Sequence, residues 1–374
     1  MKKILVISNG KGEDSIAVTI LNELRNSVEA TGVEIKALPV VGNGKGYSSA
    51  DIEVVGSTEI LPSGGFPLQK LTVLFKDIKA GLLATPIRHL HCIKQETPDF
   101  ILAVGDIYPV LLGLLAKRPV IHIGTAYSVY LRSIMLLERW LFKKCLLVIS
   151  RDRATAEHLC SKGIKAQYLG NAMMDDPLLD PESPENALPT AKRIIGLVPS
   201  SRIDAYDNLA RMLEVVDKLP AEQSKGLTFV VPAAPSLDLE RIKIIVNEYS
   251  SRMDIIIFTG SLGEAIRKSI LVIGMTGTGN EQVSGLKTPL VLLSGSGPQS
   301  SAKRLKHYEN LLGEAVFVPR GSTQKIGEQI GQLLSDKKRM ARMGRVGAER
   351  MGESGGARRI AGAISAYFKK DQTC

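Results

Sequence analysis

Leu271-Val272-Ile273-Gly274-Met275-Thr276-Gly277-Thr278-Gly279-Asn280-Glu281-Gln282 is the stretch from which the fold is read. The apolar run Ile270 to Ile273 has the form of a strand buried on both faces, as in a parallel sheet. A turn with three glycines follows, and then helical spacing (Val283, Leu286) that stops at Thr288-Pro289. Strand, glycine turn and helix start together make a cradle for phosphate. Gly277 and Gly279 let the backbone approach, exposed N–H groups and the helix dipole attract anionic oxygens, and Thr276 and Thr278 add hydroxyls. Glu281 or Gln282, one turn in, is placed to reach ribose hydroxyls. The same glycines would also serve a βα turn that merely packs closely, so the rest of the chain must decide.

Working outward, the strand–helix pattern repeats. On the C-terminal side, Leu290–Leu293 runs into a second glycine turn, Ser294 to Gln299, and the chain ends in helix with Gly and Arg alternating through Gly344–Arg359. On the N-terminal side, Arg193–Val198 is a strand that ends in Pro199-Ser200-Ser201-Arg202. An arginine at a strand's carboxyl end suits diphosphate oxygens, because its planar fork pairs with them in bidentate fashion. Strands are also expected at Leu227–Val231 and Ile255–Phe258, with a helix at Leu209–Leu219. Asp175 to Pro189, rich in Pro and acid, reads as a linker, and the adjacent Asp175-Asp176 as linker acids rather than a metal dyad.

The first half reads in the same way. Ile4–Ser8 is a strand that runs into Asn9-Gly10-Lys11-Gly12-Glu13-Asp14, and Ile16, Ile20, Leu21 and Leu24 share the face of the helix after it. Gly10-x-Gly12 opens like a dinucleotide fingerprint, but Asp14 stands near where a third glycine belongs. Pro98 to Asp106 is a strand ending in Gly105-Asp106, at the edge where open α/β sheets hold ligands. Asp106 fits a helix N-cap, since Ile107–Lys117 looks helical, and it equally fits a general base for an incoming hydroxyl. Strands at Val33–Leu38, Val120–Ile123, Leu146–Ile149 and Ala166–Leu169, and a helix around Leu131–Lys143, complete a mostly parallel sheet. Leu68 to Gln95 reads as a helix interrupted at Thr85-Pro86. Leu71, Leu74, Phe75 and Leu82 lie there beside Lys70, Lys76, Lys79 and Arg88, a pattern that suits either an anionic bilayer or a core helix with solvated lysines.

Composition limits the function classes. The chain has 374 residues, enough for two domains, and 44% apolar content, ordinary for a globular α/β protein. Four cysteines show no metal-ligand spacing or pairing symmetry, which points to a reducing, cytoplasmic setting. No run approaches the roughly 18 apolar residues of a spanning helix. The net charge is +10, and Gly331 to Cys374 carries ten basic against four acidic residues. No aromatic-interleaved basic motif accompanies this charge, so nucleic acid is not expected as a partner.

Two βα domains with phosphate-seeking turns in the second resemble glycosyltransferases of the GT-B architecture, two Rossmann-like domains facing a cleft. More narrowly, the chain resembles the lipid-A-disaccharide synthase family and the proteins related to it. The likeness covers nearly the whole chain. It rests on Ser8–Asp14, Gly105-Asp106, Leu169-Gly170-Asn171, Pro199–Arg202, Gly277–Gln282 and Gly297-Pro298-Gln299 in that order. It implies an N-terminal acceptor-side domain (1–174), a linker (175–192), a nucleotide-sugar domain (193–350) and a C-terminal helix (351–374) packing back toward the first domain. It also implies an inverting, metal-independent hexosyltransferase that uses no cofactor, takes a UDP-linked sugar, and acts on a lipid or glycolipid acceptor as a peripheral protein on an anionic inner membrane face. Asp106 would be the catalytic carboxylate. Gly10, Gly12, Glu13, Asp14, Ser201, Arg202, Thr276 to Gln282 and Gln299 would bind substrate. The chain departs from the family's Pro-Gly-Ser-Arg at Ser200, and Gln282 falls where the family has its ribose glutamate. A UDP-sugar 2-epimerase, or a nucleotide-sugar-binding module without turnover, are the alternatives.

Overall fold

The computed structural model describes residues 2–28, 32–56, 85–180, 188, 193–295 and 297–370. They form two compact units: Met1–Asp176 with Ser354–Cys374, and Pro177–Glu353. The first is built on a parallel sheet of β1 (Lys2–Ser8), β2 (Val33–Pro39), β3 (Glu53–Val54), β4 (Phe100–Gly105), β5 (Val120–Gly124), β6 (Leu147–Ile149) and β7 (Ala166–Gln167). Its order is β3-β2-β1-β4-β5-β6-β7. The second holds β8 (Arg193–Val198), β9 (Leu227–Pro232), β10 (Asp254–Phe258), β11 (Ser269–Gly274), β12 (Leu290–Leu292) and β13 (Val316–Phe317), in the order β10-β9-β8-β11-β12-β13. Each sheet reverses direction of growth beside its first strand, between β1 and β4 and between β8 and β11. A doubly wound sheet opens a crevice at such a point, beyond the carboxyl ends of the strands.

The continuous apolar strands follow from burial on both faces. In β1, Ile4 and Val6 pack into one core layer with Leu102 of β4, while Leu5 and Ile7 pack into the opposite layer with Ile101. All six residues of β4 are buried. Each such aliphatic side chain contributes about 1.5–3 kcal/mol through its removal from water, and a polar residue on either face of β4 would break a layer.

Several elements differ from the sequence reading. The first helix is Lys11–Val28, so Gly12, Glu13 and Asp14 lie in its first turn rather than in a turn before it. Two acids there favour the helix dipole's positive end. The expected helix Leu131–Lys143 is shorter, Leu136–Lys144, because the chain first makes a turn in which Leu131 N donates to Ser128 O. The glycine- and arginine-rich C-terminus is two helices, Lys337–Met351 and Gly356–Lys370. Gly352 and Gly355 separate them at φ 80° and 85°, a conformation that glycine adopts without a Cβ penalty. Gly344 and Gly347 do something else: a Cβ on either would sit 2.3 Å from the carbonyl of Lys287 or Ser284, so they let Lys337–Met351 lie directly on the glycine-turn helix Thr278–Gly285.

Gly356–Lys370 packs on Lys11–Val28 and supplies Ile360, Ala361 and Ile364 to the first unit's core. Asp175, read as a linker acid, caps this helix: its carboxylate accepts from Gly355 N and, at 2.7 Å, from Ala357 N. The 180-residue separation hid that role. Most of the linker (181–187 and 189–192) and most of the Leu68–Gln95 segment (through 84) lie outside the described residues. Thr85–Glu96 is helical, with Pro86 in its first turn, where the missing proline N–H costs nothing.

Candidate functional site

Two groups of sequence-predicted residues gather at the two crevices, one in each unit. In the first unit, β1 and β4 end side by side. Asp106 N donates to Asn9 Oδ1 at 2.8 Å, and Asn9 Nδ2 donates to Asp106 Oδ1 at 3.0 Å. Gly105 makes this pairing possible: it sits at φ 128°, and a Cβ there would lie 1.8 Å from Asn9 Oδ1. Asp106 is exposed and is also the N-cap of Ile107–Leu115, with Oδ1 accepting from Tyr108 N at 2.8 Å. Among the described residues both hydrogen bonds to the carboxylate use Oδ1, so capping leaves Oδ2 as the oxygen available for proton transfer. The two readings of Asp106 are therefore compatible.

Around it, Thr125 at the end of β5 donates from its backbone to Gly105 O, and its hydroxyl lies 3.4 Å from Glu13 Oε1. Arg151 donates to Thr125 O at 2.8 Å. Gly10 accepts Asp14 N at 2.7 Å and so starts the first helix, while Gly12 is exposed on it. Asp14 points inward. It is 4% exposed and accepts from Ser8 Oγ at 2.6 Å, and Ser8 Oγ in turn accepts from Tyr47 OH at 2.8 Å. Burial pushes the Asp14 carboxyl up to about 6; the Ser8 hydrogen bond opposes this and the neighbouring Glu13 charge adds to it. Asp14 is thus a buried acid behind the edge rather than a group on it, which departs from its expected place among the substrate contacts.

In the second unit three loops converge at the carboxyl ends of β8, β11 and β12. Asn208 ties two of them, donating to Pro199 O at 2.8 Å and reaching Met275 O at 3.4 Å. The third closes on both: a Cβ on Gly297 would lie 2.6 Å from Asp204 Oδ2, and one on Gly295 would lie 2.4 Å from Met275 Cε. Ser201 and Arg202 are exposed on the first loop, and Ser201 O accepts from Ser236 Oγ at 2.9 Å. Ser200 has φ 135°, a region where glycine is favoured. Its hydroxyl offsets the strain by accepting from Arg202 N at 3.2 Å and donating to Asp204 Oδ1 at 3.1 Å. This explains how the chain tolerates serine at a position where the synthase pattern has glycine.

Thr276 and Gly277 form the middle loop, and Thr278 to Gln282 already belong to the helix Thr278–Gly285. Asn280 is 1% exposed, donates through Nδ2 to Thr276 O, and keeps a buried Oδ1 without a hydrogen-bond partner among the described residues. Gln299 stands beside Gly277 and accepts from Arg304 Nε at 2.9 Å. Tyr308 OH donates to Gly277 O at 3.1 Å, and Arg304 stacks over its ring at 5.1 Å. Burial pushes the Tyr308 phenol up to about 12, with the Glu281 charge adding to the effect. Glu281 and Gln282 are both buried, at 6% and 3% exposure.

Sequence reasoning passed over Asn9, Thr125, Asp204, Asn208, Arg304 and Tyr308. Asn9 lay inside the quoted motif and its amide beside a glycine was a usable signal. The others come from positions with no local mark, brought in by the topology.

The chain is similar to known proteins in both sequence and fold. The lipid-A-disaccharide synthetase family model matches residues 156–296, which contain Ser200, Arg202 and the whole glycine turn. A lipid-A-disaccharide synthase from Trichlorobacter lovleyi is 24% identical over 84% of this chain and 84% of its own length. The lipid-A-disaccharide synthase of Hydrogenovibrio crunogenus is 23% identical over 83% and 89%. The chain is a relative of the lipid-A-disaccharide synthases. That relationship places it among the glycosyltransferases. Solved structures share the chain's fold of two Rossmann-like domains, the GT-B architecture. MurG of Acinetobacter baumannii has a TM-score of 0.62 at 14% identity, covering 98% of this chain and 100% of that one. The UDP-GlcNAc 2-epimerase of Neisseria meningitidis, bound to UDP-GlcNAc, has a TM-score of 0.59 at 16% identity, covering 97% and 100%.

Proposed function

We propose that this protein transfers a sugar from a UDP-linked donor to a hydroxyl of a lipid-linked or glycolipid acceptor, with inversion and without a metal ion. The observation that carries the reading is the convergence at the crevice of the second sheet of three adjoining loops, which carry Arg202, Gly277 and Gln299, with Asn280 in the first turn of the helix that follows Gly277. Those loops offer a guanidinium, a helix N-terminus and amide side chains to a diphosphate and its sugar. In the first unit Asp106 Oδ2 takes the proton of the acceptor hydroxyl. The resulting alkoxide attacks the anomeric carbon from the face opposite the diphosphate, and the bond to the UDP oxygen breaks. Arg202 and the amino end of Thr278–Gly285 stabilise the charge that develops on the leaving diphosphate, the role a divalent cation has elsewhere. Thr276 to Gln282, Ser201 and Gln299 hold donor phosphate, sugar and ribose; Gly10, Gly12 and Glu13 line the acceptor edge beside Asp106. A cytoplasmic location at an anionic membrane face fits a lipid-linked acceptor.

A screen of nucleotide sugars by thermal shift tests the donor assignment, since a ligand that binds only the folded state raises the melting temperature. UDP-sugars are expected to raise it, and transfer to lipid extracts should then survive EDTA. No shift with any UDP-sugar would remove the reading, and transfer lost on chelation and restored by Mg²⁺ would remove its metal-free step. A UDP-sugar 2-epimerase, the alternative, would draw on clustered acid and histidine side chains, and two of the five histidines are closed to substrate. His89 and His122 are buried at 4% and 1% exposure, and His122 is held below the ordinary imidazole range, at about 4, by that burial.

A further inference from the structure

The helix Leu136–Lys144 in the first unit carries its apolar residues on the wrong side for a solvated surface helix. Its inward stripe is Glu138, Leu141 and Phe142, all buried. Its outward stripe is Leu136, Trp140 and Lys143, at i, i+4 and i+7. Leu136 is 85% exposed and Trp140 56%, and Met135 and Leu137 beside them are each more than half exposed. The inversion is held in place by a built contact. Glu138, the one acid of the helix, is turned into the protein, where it accepts from both terminal guanidinium nitrogens of Arg132 and, at 2.9 Å, from Met135 N. Burial alone would raise its carboxyl, but the Arg132 fork and the Met135 amide hold it below the ordinary carboxylate range. The outward face therefore has no negative charge, and Lys143 and Lys144 follow at its far end, both exposed.

We propose that this face docks on an anionic lipid bilayer, with the amino end of the helix inserted. The proposal rests on the reading above, in which the acceptor is lipid-linked. Three observations select a membrane as the occupant. The first is charge: an apolar tip backed by two lysines and no exposed acid complements an anionic headgroup layer. The second is length. Met135 to Trp140 spans about 7 Å of helix at 1.5 Å per residue, enough to carry Met135, Leu136 and Leu137 beneath the headgroups when the amino end enters. Trp140 then sits at the depth where indole is favoured, and the lysines lie one turn further out among the phosphates. The third is placement. β5 ends at Gly124 and β6 begins at Leu147, so a helix ending at Lys144 must return the chain to the amino edge, and its amino end lies at the carboxyl edge. Asp106 is on that edge, with Thr125 bonded to Gly105. Insertion of Met135–Leu137 thus brings the Asp106 edge to the lipid surface. No helix among the described residues is long and apolar enough to cross a membrane, so this contact is interfacial.

Trp140 is the only tryptophan of the chain, so its emission reports on this helix alone. The full-length protein, without any nucleotide, is titrated with phosphatidylcholine vesicles containing increasing phosphatidylglycerol, and emission and co-sedimentation are followed together. The expected result is a blue shift, quenching by acyl-chain-brominated lipid, and a half-saturating lipid concentration that rises at least tenfold in pure phosphatidylcholine or in Leu136→Asp/Leu137→Asp. Lys143→Gln/Lys144→Gln should weaken binding several-fold and flatten its salt dependence. Both double variants change exposed side chains, and their circular dichroism melts should match wild type. Emission unchanged with every vesicle overturns the proposal, as does binding that Leu136→Asp/Leu137→Asp leaves intact. A blue shift that grows with protein concentration in the absence of lipid overturns it too and assigns the face to a second copy of the chain. UDP calorimetry separates this from the transferase reading: vesicle binding without UDP binding removes only the donor assignment, and UDP binding without vesicle binding removes only the docking face.

Discussion

Asn9 and Asp106 hold each other through a reciprocal pair of hydrogen bonds, backbone N–H to Oδ1 at 2.8 Å and Nδ2 to Oδ1 at 3.0 Å, across the point where the first sheet reverses. The pairing fixes one carboxylate oxygen from two directions, because Tyr108 N also donates to it. A carboxylate held at one oxygen in this way has little freedom to rotate, so the clasp fixes the position of the other oxygen.

Asp106→Asn keeps the size of the side chain and the cap, since asparagine caps a helix about as well as aspartate. It cannot accept the acceptor proton. Turnover is expected to fall by about 10²–10⁴, while the melting temperature and UDP affinity stay near wild type. Full turnover in that variant would leave Asp106 as a cap alone.

Gly105→Ala tests the clasp itself. The new Cβ meets Asn9 Oδ1 at 1.8 Å and sits at φ 128°, so the amide must swing away and the backbone is strained. A loss of about 1–3 kcal/mol is expected from the backbone strain, together with a lower kcat. Asn9→Ala should lower kcat without the backbone strain, and the difference between the two melts isolates the strain contribution.

The parallel strands, the two crevices and the glycine turn were legible because each is written locally, in apolar runs that end in Gly, Asp or Arg. β8 was read with both its ends, and the cradle residues with their order. What stayed hidden depended on contacts between distant segments. Asp175 became a helix cap only because residue 355 returns to it, and Asp14 turned inward because Ser8 and Tyr47 were waiting behind the edge. The outward Trp140 was unreadable for a related reason: the spacing of Leu136, Leu137, Leu141 and Phe142 does not say which of them face the core until Arg132 claims Glu138.

Ser200 permits a two-variant comparison. Ser200→Gly relieves a positive φ and loses two hydroxyl hydrogen bonds, whereas Ser200→Ala loses the same bonds and keeps the strain. Glycine should therefore exceed alanine in stability by about 1–2 kcal/mol, the lower part of the cost of such strain, measured by urea denaturation. Equal stabilities would mean that the backbone relaxes at no cost.

Arg202→Ala removes an exposed guanidinium from the loop that Asn208 ties to the glycine turn. UDP affinity is expected to weaken by roughly 1.5–3 kcal/mol, the scale of hydrogen bonds to charged groups, with stability unchanged. Calorimetry that finds the same affinity in the variant takes Arg202 out of the donor site.

Asp14 predicts a pH dependence of stability with a definite sign. Its carboxyl is raised to about 6 from 3.8, chiefly by burial, so the folded state holds a proton that the unfolded state has released. Stability from this group is fully present below about pH 4 and is lost as pH rises through about 6. Each tenfold difference in proton affinity between the folded and unfolded states is worth roughly 1.4 kcal/mol, so the contribution that disappears is on the order of 2–3 kcal/mol. Asp14→Asn is neutral at every pH, and its amide oxygen can still accept from Ser8 Oγ. The variant should match wild type near pH 4 and exceed it above about pH 6.5, as read from denaturant midpoints across that range. A constant difference between the two proteins at all pH values would show that Asp14 carries its charge in the folded state at no cost, and the Tyr47–Ser8–Asp14 chain would then be stabilising a carboxylate rather than an acid.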